Sequence, residues 1–90
     1  MHALVVRVNI HDYDRGRRFL TEEVVPRVSQ APGFVAGYWT RSESDTGLSM
    51  IIFESEDAAR TVAQMIESQA PQDEGVTLEG TEVREVVANA

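Results

Sequence analysis

The chain has 90 residues, a formal net charge of −7, and no cysteine or lysine. That length allows one domain, expected to span 1–90, with a marginal core that self-association commonly completes; disulfides, thiolate metal sites, thiol nucleophiles and Schiff-base chemistry are excluded. The acidic balance disfavours nucleic acid and anionic membrane surfaces, and two histidines, His2 and His11, are too few for a usual zinc site, so no metal is expected.

The N-terminus carries no basic region leading into an apolar core, and no apolar run approaches the ~18 residues of a membrane span. A cytoplasmic location is therefore expected. Residues 3–10 alternate as a strand, with Leu4, Val6, Val8 and Ile10 on one face and Val5, Arg7 and Asn9 on the other. A turn over 11–14 offers Asp12 or Asp14 as a helix cap. Phe19, Leu20, Val24 and Val28 then recur at helical spacing, and Pro26 is expected to kink or end this helix near its last turn.

Ala31-Pro32-Gly33 breaks the chain before a second strand over 34–41, in which Phe34, Ala36 and Tyr38 are expected on one face and Val35 and Trp39 on the other. A polar hairpin loop over 42–47 leads into a third strand over 48–53. Ser55 caps a second helix whose buried face is Ala58, Ala59, Val62 and Ile66, with Met65 beside it. A loop over 71–75 precedes the last strand, 76–87, where Gly80 marks a bulge. Asp14 and Asp57, Arg17 and Arg60, Ile10 and Phe53 are each 43 positions apart, as a duplicated strand–helix–strand unit would leave them.

The order strand, helix, strand, strand, helix, strand gives an α+β class: a ferredoxin-like βαββαβ domain with a four-stranded antiparallel sheet and two helices on one face. The other sheet face would then be bare. Met50, Ile51, Ile52 and Phe53 are nevertheless consecutive apolar residues, so something must cover both faces. The same sheet from a second copy is the economical cover, forming a homodimer that closes as a dimeric α/β barrel.

The stretch from Pro32-Gly33-Phe34 through Arg41, then 47–53, then Glu54-Ser55-Glu56-Asp57-Ala58-Ala59, resembles the middle of the dimeric α/β-barrel superfamily, in particular its antibiotic-biosynthesis-monooxygenase-like group. The resemblance implies that Gly33, Phe34 and Ala58 are turn and packing positions. It also implies a choice among cofactor-independent oxygenases of polycyclic aromatics, haem-degrading enzymes and members without known activity. The haem-degrading pattern needs a tryptophan after the third strand and a histidine on the second helix, and 54–70 contains neither. The oxygenase pattern of asparagine, tryptophan and arginine finds matching residue types in Asn9, Trp39 and Arg7, although Trp39 stands on a different strand from the group's tryptophan.

Each candidate has a plain structural alternative. Arg7 either fixes an anionic or phenolate ligand or pairs with Glu79, Glu82 or a residue across the dimer. Asn9 either orients a ligand oxygen or bonds backbone at a strand end. Trp39 is an interface anchor or a ligand platform, and the adjacent Tyr38 must face the opposite way. His11 or Tyr38 would serve as a general base if there is one. Arg15, Arg17 and Arg18 form either an anion site or a solvated helical face. The reading is a small dimeric barrel protein that binds a small apolar or aromatic molecule; the alternative is a cofactor-independent monooxygenase of an aromatic or polyketide-like substrate. No cofactor is expected in either case.

Overall fold

A computed structural model describes residues 1–69 and 74–90, so most of the loop expected over 71–75 lies outside the described residues. The alternating apolar segment at the start forms β1 (His2–Ile10). A continuous helical stretch follows: α1 (Tyr13–Phe19), a π-helical turn (Leu20–Val24) and α2 (Val25–Ser29). Then come β2 (Phe34–Arg41), β3 (Thr46–Phe53), α3 (Glu56–Ser68) and β4 (Val76–Glu85). The strands form one antiparallel sheet in the order β2-β3-β1-β4, so the ferredoxin-like expectation holds.

Local chemistry sets the helix starts. The Asp12 carboxylate accepts the Arg15 backbone N–H at 3.2 Å, and the Ser55 hydroxyl accepts that of Ala58 at 3.1 Å. Each satisfies a backbone donor that the first turn leaves without an intrahelical partner. Asp12 and Ser55 stand 43 positions apart, as do the first helical residues Tyr13 and Glu56, so the internal echo of the sequence extends to both helix starts.

Pro26 does not end the first helix. It lacks the N–H that would bond the carbonyl of Glu22, and its ring crowds that carbonyl. The turn before it widens instead, the Val25 N–H reaches back to the Leu20 carbonyl, and helix continues to Ser29.

One end of the space between sheet and helices is tightly filled. Leu4, Val6, Ile51 and Phe53 from the strands pack against Val28 of α2 and Ala59, Val62 and Ala63 of α3. Leu4, Ile51, Phe53 and Val28 are fully buried, each worth about 1.5–3 kcal/mol relative to exposure. Phe34 meets Phe53 edge-on, with centroids 6.2 Å apart. Gly33 permits the turn into β2: its φ is +84°, and a Cβ there would stand 2.9 Å from the Ala58 Cβ.

Two bulges reset the side-chain alternation. In β2 the register skips Val35, so Phe34 pairs with Phe53 and Ala36 with Ile52. Phe34, Gly37 and Trp39 therefore share the helix-side face, while Ala36 and Tyr38 face away; the unbroken alternation expected for this strand is corrected at that point. In β4 the register skips Glu79, next to Gly80, where a bulge was expected.

Candidate functional site

The helix-side residues of β3 run Gly47, Ser49, Ile51, Phe53. Toward Phe53 they fill the core. Toward Ser49 the side chains shrink, and a cavity of about 430 Å³ opens between sheet and helices. Its walls are mainly apolar, including Val6, Val8 and Ile10 from β1, Leu20 and Val24 from the π turn, Ile66 from α3 and Leu78 from β4. Size and lining fall within the range of small-molecule sites.

Trp39 of β2 forms part of the wall and pairs across the strands with Ser49. Its indole is held over Gly37, where an added Cβ would come within 2.8 Å of the ring. Ser49 is the buried polar residue of the lining, 8% exposed. Tyr13 sits at the rim, with the Arg41 guanidinium 3.8 Å above its ring and Asp45 3.5 Å from Arg41. Arg27, also in the lining, contacts Glu23 at 3.7 Å and donates to Gln69 at 3.3 Å. Arg17 lines the cavity and makes no ion pair among the described residues. The lining contains neither histidine nor carboxylate among those residues.

Of the residues singled out in the sequence, the cavity takes Trp39 and Arg17. Arg7, Asn9 and Tyr38 stand on the opposite sheet face, and His11 lies just beyond the strand end, bonded through Nε2 to the Thr77 hydroxyl at 3.1 Å. Arg7 lies 3.8 Å from Glu82, whose other carboxylate oxygen accepts from Arg84 Nε at 2.6 Å. The Arg84 hydrogen bond, with the charges of Arg84 and Arg7, holds the Glu82 carboxyl below its ordinary pKa. Beside this charged trio the same face exposes Tyr38, Leu48 and Met50, with Tyr38 directly opposite Met50.

Tyr13, Arg41 and Ser49 are cavity residues to which the sequence alone assigns no role. Ser49 carried a signal, being a small polar residue at a helix-side position of an apolar strand. Tyr13 and Arg41 meet only through the fold, since 28 positions separate them. No cluster of metal-ligating side chains occurs among the described residues, and none of the described helices is long and apolar enough to cross a membrane.

No protein-family model matches the sequence, and no curated protein matches it. Solved structures do match in fold. HapK from Hahella chejuensis superposes with a TM-score of 0.70 at 9% identity, covering 100% of this chain and 96% of that one. A dimeric ferredoxin-like protein from an uncultured marine organism gives 0.61 at 11%, covering 100% and 98%. A monooxygenase from the gene ActVA-Orf6 of Streptomyces coelicolor, in complex with nanaomycin D, gives 0.57 at 14%, covering 99% and 92%. The chain thus shares the ferredoxin-like fold of these proteins. At these identities the likeness is one of fold.

Proposed function

We propose that the protein binds a small apolar or aromatic molecule in the cavity between sheet and helices, and works as a homodimer joined through the open sheet face. The cavity carries the first part: about 430 Å³ walled mainly by aliphatic side chains and an indole, with the buried residue Ser49 in its lining. The exposed trio Tyr38, Leu48 and Met50 supports the second, because an apolar patch on a sheet face calls for a cover. The marine neighbour of the same fold is itself dimeric. In this reading Arg7, Asn9 and Tyr38 belong to the interface, and Trp39 to the ligand.

Trp39 is the chain's one tryptophan and reports directly on the cavity. Titration with 2-naphthol is expected to change its fluorescence saturably. Ser49→Leu, which fills the cavity, is expected to abolish that change while leaving the far-ultraviolet circular dichroism intact. A wild-type protein with no saturable response, or a Ser49→Leu variant with an unaltered one, overturns the cavity reading.

The likeness to the ActVA-Orf6 monooxygenase favours a second reading, cofactor-independent oxygenation of an aromatic or polyketide-like substrate. In that chemistry a substrate carbanion reduces oxygen, and the protein supplies a dry pocket, a base and a partner for the developing oxyanion. In this reading the Ser49 hydroxyl donates to the developing oxyanion, and the Tyr13 hydroxyl is the candidate base. Oxygen uptake with a panel of naphthols and hydroxynaphthoquinones, lost in Ser49→Ala, is the expected outcome if this reading holds. Binding without oxygen uptake leaves a binding protein.

A further inference from the structure

We infer that the cavity's ligand is an organic anion: an aromatic body against Trp39 and the aliphatic wall, with a carboxylate or equivalent acidic group at the arginine-bearing rim. This rests on the cavity being a ligand site and adds the charge of what enters it. The chain as a whole holds 15 acidic residues and 8 basic ones. The lining reverses that balance, with Arg17, Arg27 and Arg41 and no aspartate or glutamate among the described residues. In an acidic protein, three cations lining one apolar cavity form a local field that favours a negative group and repels a positive one.

The arginines differ in readiness. Arg27 and Arg41 are each partly satisfied by an acid outside the lining, Glu23 and Asp45 respectively. Arg17 makes no such pair among the described residues and lies in the lining, where a ligand carboxylate can meet its guanidinium fork. Arg41 is fixed by its stacking on Tyr13, which holds a second positive charge at the rim. Inside, Ser49 is a buried polar residue of the lining. It is an orientation point for a polar atom on the ligand's far side.

The test compares 2-naphthoate with 2-naphthamide, which have the same ring and nearly the same shape but differ in charge. Calorimetric titration of the full chain at low ionic strength is expected to show naphthoate binding about ten-fold tighter, as for one charge-assisted contact. The preference is expected to shrink as salt rises, since the rim is solvent-accessible. Arg17→Gln and Arg41→Gln are each expected to weaken naphthoate several-fold and leave naphthamide unchanged. Equal affinity of the wild type for both ligands, or a naphthoate affinity indifferent to both arginine substitutions, overturns the anion inference while the apolar-cavity reading stands. Failure of both ligands to bind the wild type overturns the cavity reading and this inference with it.

Discussion

The two faces of the sheet use the same strands to opposite ends. On the helix side, β1 contributes Leu4, Val6, Val8 and Ile10 to a core that opens into a cavity. On the open side, Ala3 and Val5 are buried while Arg7 and Asn9 are exposed. Each strand of the pair β2-β3 behaves likewise: Trp39 and Ser49 face inward, and their neighbours Tyr38 and Met50 face out. One position along the chain therefore separates a residue of the proposed ligand site from a residue of the proposed interface. Substitutions at adjacent positions should have unrelated consequences.

The largest effect is expected from the closed end of the helix-side face. Phe53→Ala removes a fully buried ring that contacts Phe34, at a cost of about 3–5 kcal/mol measured by urea denaturation. For a domain of this size that is a large part of total stability, about 5–15 kcal/mol. A loss under 1 kcal/mol would mean that the core is not organised around β3.

Met50→Glu tests the open face. A two-fold interface contains every substitution twice, so two carboxylates would enter the same apolar patch. Sedimentation is expected to show a wild-type dimer and a folded monomeric variant, with the dissociation constant raised about 100-fold or more. A wild-type monomer at all concentrations would remove the dimer from the proposal and leave Tyr38, Leu48 and Met50 for another partner.

Adjacent aromatic residues sharpen the contrast. Tyr38→Ala is expected to weaken dimerisation and spare 2-naphthol binding. Gly37→Ala is expected to do the reverse, because its new Cβ would press on the Trp39 indole at 2.8 Å and displace it. The readouts are sedimentation for the first and the emission maximum of Trp39 with ligand affinity for the second. If both variants move both readouts, the two faces are not independent.

Much of this division was legible in the sequence, for identifiable reasons. The parity of Leu4, Val6, Val8 and Ile10 against Arg7 and Asn9 needs no partner strand to be read. The caps Asp12 and Ser55 act within three residues of themselves, so their signal is local. Trp39 was harder. Its face depends on the skipped Val35, and that bulge shows only in the pairing of β2 with β3. Without it, Phe34 and Trp39 appear on opposite faces. The π turn was equally hidden: Pro26 announces a disturbance, but only packing on both sides decides that the helix widens instead of stopping. The pairing of Tyr13 with Arg41 lies beyond any local pattern, because it requires the α1 start and the β2 end to converge at one rim.

The smallest expected effect concerns the charged part of the open face. Glu82 is held below its ordinary pKa by Arg84 first and by Arg7 more weakly. A carboxyl whose folded pKa is depressed stabilises the fold above its unfolded pKa, and that contribution fades as pH falls through the folded value. Glu82 is well exposed in the single chain, so solvent screens the contribution there. Arg84→Gln is expected to raise the Glu82 pKa toward the usual glutamate range, followed by carbon-13 titration of its carboxyl, with little change in stability at neutral pH. Dimerisation adds the informative arm. If the partner sheet covers Arg7, Glu82 and Arg84, the trio loses solvent and the same substitution leaves Arg7 to balance Glu82 alone. Arg84→Gln should then weaken the dimer more in acid than at neutral pH, because a neutral Glu82 leaves Arg7 unpaired under the cover. An Arg84→Gln dimer whose affinity ignores pH would place the charged half of the open face outside the interface and confine the contact to Tyr38, Leu48 and Met50.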